Sequence, residues 1–166
     1  MFCLASCGKV NESSGSTEEE ELPDMIMTDA SYTFGESGRR PVIMSASKIT
    51  IYSSKADKTV LVDIKFQQED ENKEIEMEGR CNYAVVTENN SKAELHGDIH
   101  LFKKTDNFSI ICNDLIWDND KQTIHTSGVV SVVYEDNTKM RARGFSAQLD
   151  ENIYEFETIL EGSYNN

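Results

Sequence analysis

Two histidines flank an aspartate in the run AELHGDIHLF: His96, Asp98 and His100. Imidazoles and carboxylates ligate metals and move protons, so their spacing decides what this trio could do. Ala93, Leu95, Gly97, Ile99 and Leu101 fall on one parity, and Glu94, His96, Asp98 and His100 on the other. That alternation is the period of a half-buried β-strand. At roughly 3.3 Å per residue, His96 and His100 would stand about 13 Å apart, too far to share one ion without a bulge. His125 could join only from a neighbouring strand, so all three histidines are read as outward polar residues, with no metal and no cofactor. No Ser/His/Asp spacing, glycine-rich phosphate loop or Cys-x-x-Cys pair occurs. No catalytic residue is assigned, and the chain reads as a non-enzyme.

The four cysteines divide into two pairs. Leu4-Ala5-Ser6-Cys7 fits the lipobox of bacterial lipoproteins, which would make Cys7 the acylated residue. A signal peptide carries a basic start and an apolar stretch of roughly 7–15 residues. Only six residues precede Cys7 and none is basic, so either 1–6 are the end of a longer signal segment or the match is chance. Gly8 to Leu22 is nearly devoid of apolar residues and carries the run Glu18 to Glu21. Residues 7–22 are therefore expected to be a disordered, self-repelling tether, with one folded domain over 23–166. Cys81 and Cys112 remain. In an oxidising compartment they could bond, provided their Cα atoms come within about 7 Å; otherwise they are buried thiols.

The elements that would position these groups are strands. Turn signals such as Glu88-Asn89-Asn90, Asp106-Asn107 and Asp118-Asn119-Asp120 separate nine runs, from MIMTDASYTF to IYEFETILEG. No run has a helical period. A weak repeat places the pivots Ala46, Gly79, Asn113 and Gly144 roughly 31 to 34 residues apart, about two strands each. The predicted fold is all-β: an open twisted antiparallel jelly roll or sandwich of stacked hairpins, with free edge strands at both ends. Trp117 is expected as a core or edge anchor. The chain has 166 residues and a net charge of -14, from 30 acidic and 16 basic side chains, which argues against nucleic acid and against a basic membrane-binding patch. No apolar run approaches the roughly 18 residues of a membrane span.

The run MEGRCNYAVVTENNSKAELHGDIHLF, then IICNDLIWDNDKQTIHTSGVV, then RARGFSAQLD, resembles the LptC family, related to the OstA/LptA-like β-jelly-roll proteins. The resemblance extends from Met25 to Tyr164, with Gly144 and Asp150 at matching positions of a C-terminal family segment. It implies a jelly roll at the outer face of the inner membrane of a diderm bacterium. There it would take lipopolysaccharide or a related glycolipid from ABC transporter subunits at its N-terminal edge. It would pass the lipid to an LptA-like periplasmic bridge protein at its C-terminal edge. The family usually has an N-terminal transmembrane helix, where this chain has a lipobox. Gly8 stands where lipoproteins kept in the inner membrane often carry aspartate. Acyl chains would lie along the inner parity, for which the candidates are Val62, Ile64, Phe66, Met77, Tyr83, Leu95, Ile99, Leu101, Val130, Val132 and Phe156. The rival reading is a surface or periplasmic β-repeat lipoprotein that binds a protein or glycan and has a dry, closed core.

Overall fold

The computed structural model of the chain describes residues 22–35, 40–53, 57–87, 89–136 and 138–163. The lipobox, Cys7 and the tether up to residue 21 lie outside the described residues. Nine strands follow one another: β1 (Met25–Phe34), β2 (Val42–Tyr52), β3 (Lys58–Glu69), β4 (Ile75–Thr87), β5 (Lys92–Lys103), β6 (Phe108–Asp118), β7 (Thr123–Tyr134), β8 (Lys139–Gln148) and β9 (Ile153–Ser163). They form one antiparallel sheet in chain order, with β1 and β9 at its edges. The fold is the open all-β array that the turn spacing predicts.

The turns are shaped by short polar side chains. Asn90, Asn107 and Asn152 adopt left-handed backbone conformations, which asparagine tolerates better than most residues. Between β3 and β4, the Asp70 carboxylate accepts the N–H groups of Asn72 at 2.8 Å and Glu74 at 2.9 Å. The bond from the Glu74 N–H is the main reason the Asp70 pKa lies below the ordinary carboxylate value.

A crease crosses the sheet near the middle of the strands. The antiparallel register skips Asp29, Ser47, Asp63, Asn82, Asn113 and Gly144, one residue on each of six strands. Asp29, Asp63 and Gly144 there have φ of 48°, 51° and 65°. On β1 to β4 the skipped residues stand opposite one another with the register unbroken on either side. Each strand thus drops one residue out of its two-residue alternation at the same level, and the following side chains move to the opposite parity. The buried residues record the switch: Met44 and Ala46 give way to Ile49, Leu61 to Ile64, Cys81 to Ala84, Cys112 to Leu115, and Ala142 to Phe145. In β5 the crease takes two left-handed residues, Gly97 and Asp98, and the inner parity resumes unchanged from Leu95 to Ile99.

The crease divides the strands into upper arms, which meet at the β1–β2, β3–β4, β5–β6 and β7–β8 turns, and lower arms, which meet at the other four. Upper and lower arms face each other across the core. Phe34 and Phe66, on the upper arms of β1 and β3, both meet Trp117 on the lower arm of β6, edge-on at 6.1 and 5.9 Å. Phe108 on the upper arm of β6 meets Tyr154 on the lower arm of β9 at 4.9 Å. Hydrogen bonds join the same two layers: the Gly35 N–H donates to the Asn90 carbonyl at 3.0 Å, and the Asn90 side-chain Nδ2 donates to the Thr33 carbonyl at 3.0 Å. An upper arm thus lies over a lower arm some three strands further along. At the two edges, the lower arm of β1 and the upper arm of β9 carry exposed apolar side chains, Met25 and Ile26 on one and Ile159 and Leu160 on the other.

Candidate lipid path and docking edges

Nine of the eleven proposed groove residues lie with the core. Ile64, Phe66, Met77, Leu95, Ile99, Leu101, Val130 and Val132 are buried, and Phe156 is partly buried against them. Val62 and Tyr83 do not belong to that cluster. They pair with each other across β3 and β4 on the outer face, and Tyr83 is 38% exposed with its ring 6.1 Å from that of His96. The reason is the crease: Asp63 and Asn82 reverse the parity, so Leu61 and Ala84 take the inward places instead.

At the two edges the inner face becomes accessible. Met25 pairs with Ile51 and Met27 with Ile49, so the two methionines share the inner face, and Met25 is 52% exposed. At the other edge Ile159 pairs with Ala142; Ala142 is 0% exposed and Ile159 is 55% exposed. Leu160 beside it is exposed as well. Edge strands with unpaired backbone and accessible apolar side chains are templates for another strand. Neither Met25 nor Ile159 stands out in the sequence, because each lies in a run that reads as an ordinary alternating strand.

A buried polar network ties the β5–β6 end to the start of β9. Lys103 is 3% exposed; its ammonium lies 3.5 Å from Glu76 and 3.6 Å from Asp106, and donates to the Asn152 side-chain oxygen. Arg40 holds the other Glu76 oxygen at 2.7 Å. The Tyr154 hydroxyl donates to Asp106, and burial together with that carboxylate raises its pKa well above the ordinary phenol value. The sequence gives no sign of this network, because its members come from four separate segments.

The groups considered for chemistry are spread out. His96 pairs with Asp114 at 2.8 Å, His100 with Asp98 at 3.1 Å, and His125 is exposed on β7. Among the described residues no group of three or more His, Cys, Asp or Glu could hold a metal ion. Cys81 and Cys112 are free thiols, both buried, so the disulfide considered above is not formed. They sit on β4 and β6 with β5 between them, and two inter-strand steps of about 4.8 Å exceed the Cα separation a disulfide spans. Burial pushes the Cys81 thiol up to about 12 and the Cys112 thiol up to about 11. Gly144 keeps its place by backbone conformation, and Asp150 accepts a bond from the Gln148 amide at 2.8 Å in the β8–β9 turn.

No helix among the described residues is long and apolar enough to cross a membrane. A search among curated proteins gives no match. The family model described as "Lipopolysaccharide-assembly, LptC-related" matches residues 1–165. Proteins of that family are non-catalytic, membrane-associated components of the periplasmic bridge that transports lipopolysaccharide, working with an ABC transporter and LptA-like proteins. With a match over nearly the full length and an open β-array of the expected kind, the chain belongs to the LptC family.

Proposed function

We propose that, within lipopolysaccharide transport, acyl chains travel between the upper and lower arms, from the β1 edge to the β9 edge. The observation that carries this reading is the opening of one continuous inner face at both ends, at Met25 and at Ile159. The lower arm of β1 would meet the transporter, and the upper arm of β9 would continue into the next jelly roll by strand addition. Residues 7–22 would tether the domain, with Cys7 as the acyl anchor at the inner membrane. Lipid passage requires the layers to part, because side chains fill the middle of the interior.

The burial of that middle, at Leu95 and Ile99, is also what a β-repeat binding module with a closed core would show. Photocrosslinking in cells separates the two readings. Reactive residues are placed at Leu101 and Ile159 on the inner face and at Glu94 on the outer face. Light-dependent glycolipid adducts at Leu101 and Ile159, and not at Glu94, are expected. Protein adducts alone at all three would replace the carrier by the binding module.

A further inference from the structure

The outer face of the upper arms carries a second feature, separate from the interior. Ser45, Lys65, Arg80 and His100 stand directly across from one another on β2, β3, β4 and β5. One register step away runs a parallel row, Ile43, Gln67, Glu78, Phe102 and Ser109. The two rows line a cavity of about 600 Å³, which Gly79 and the inward-pointing Phe66 and Leu101 complete. That volume is in the range of small-ligand sites.

Like charges placed directly opposite each other cost stability, and here Lys65 faces Arg80 in a chain of net charge -14. Asp98 lies 3.2 Å from Arg80 and 3.1 Å from His100, so one carboxylate serves two cationic or donor groups. Glu78, the acid that lines the cavity, is engaged by Lys104 at 3.7 Å. Among the described residues Lys65 makes no ion pair. The row therefore keeps surplus positive charge and N–H donors aimed at one side of the cavity. The other side offers neutral polar groups (Gln67, Ser109) beside an aromatic ring and an isoleucine.

The geometry points to a binding site for a phosphorylated saccharide on this outer face, with Lys65, Arg80 and His100 holding the phosphate and Phe102 lying against the sugar ring. Arg and Lys donating to a phosphate form strong charge-assisted bonds. The amide and hydroxyl groups of the second row suit sugar hydroxyls. The Gly79 backbone forms part of the floor; the Cβ it lacks would point to the inner face, 2.3 Å from the His100 carbonyl oxygen and 2.4 Å from the Phe66 ring.

The test is a titration of the full chain, followed by amide chemical shifts, with N-acetylglucosamine 1-phosphate. N-acetylglucosamine and inorganic phosphate serve as partial probes. Saturable shifts at residues of the two rows are expected, with either partial probe binding about tenfold more weakly. Lys65→Gln and Arg80→Gln should each weaken binding about tenfold, whereas Lys121→Gln, away from the cavity, should leave it unchanged. Absence of saturation, equal affinity in all variants, or equal binding of phosphate alone would overturn the site. A phosphorylated glycolipid in micelles then distinguishes the sources: a headgroup ligand is displaced by the sugar phosphate, and a free sugar phosphate ligand binds without that competition. The inference is independent of acyl carriage, since crosslinking at Leu101 can fail while this face still binds.

Discussion

Phe34 and Trp117 touch edge-on at 6.1 Å, although they sit on strands at positions one and six of the same sheet. Their contact joins the upper and lower layers, and Phe66 completes the cluster, edge-on to the same indole at 5.9 Å. Trp117 is fully buried and its Nε1 has no hydrogen-bond partner among the described residues. Trp117→Ala should destabilise the fold by about 3–5 kcal/mol. Trp117→Phe removes an orphaned donor while keeping a ring, and should cost less than half of that. Urea unfolding followed by circular dichroism measures both; a loss below about 1 kcal/mol for Trp117→Ala would show that the indole is not the anchor.

Lys103 should be more sensitive to truncation than any exposed lysine. Removing it leaves Glu76 and Asp106 without their shared cation, and Asn152 without its donor. Lys103→Ala is expected to lose about 3 kcal/mol, and exposed Lys48→Ala no more than about 0.5 kcal/mol. Unfolding midpoints in urea, compared at neutral pH, decide between this and a merely peripheral role.

The alkaline limb of stability follows from the raised thiol and phenol. For Cys81 the folded value, about 12, exceeds the unfolded value of 9.0. The unfolded chain therefore gives up its proton first as pH rises. The stability due to the neutral thiol is complete below pH 9 and is lost on the way to pH 12. At pH 10.5 the loss is about 2 kcal/mol, and Cys81→Ala should flatten the slope there. Tyr154 acts in the same direction starting near its unfolded value of 10.0, so Tyr154→Phe should flatten the limb further. Urea midpoints from pH 8 to 11 provide the measurement, and an unchanged slope in both variants would refute the assignment.

The crease makes a sharp demand on single residues. Gly144 sits at φ 65°, and a Cβ there would lie 2.3 Å from the Glu157 side chain. Glu157 can swing away, but the left-handed backbone penalty of about 1–2 kcal/mol remains for Gly144→Ala. Deleting Asp63 is far worse: it returns Ile64 and Phe66 to the solvent parity. That variant should fail to give a soluble, cooperatively unfolding protein, as gel filtration and thermal melts would report.

The strand ladder was legible in the sequence because alternation and Asn/Asp turns are local signals. The run MIMTDASYTF coincides with β1 from Met25 to Phe34. The pivots Asn113 and Gly144 fall on the crease itself, and Ala46 one residue before it. The faces were harder. A strict two-residue period carried the inner parity from Ile64 back to Val62 and from Met77 on to Tyr83, across Asp63 and Asn82. An acid or amide set inside an alternating apolar run was the available sign of the crease. Which arms face each other depends on the bend of the whole sheet, so neither the Phe34–Trp117 contact nor the Lys103 network could be read from the residues. The exposed inner-face Ile159 was hidden for the same reason.

Because every strand crosses the crease, each hairpin supplies both walls of the interior at once. Adding or removing one would change the length of the conduit by about 10 Å, two strand spacings, without redesigning its cross-section. The distance such a molecule spans is then set by counting hairpins. The cut faces at β1 and β9 are the same section through a continuous thread, which another chain with the same pitch can resume.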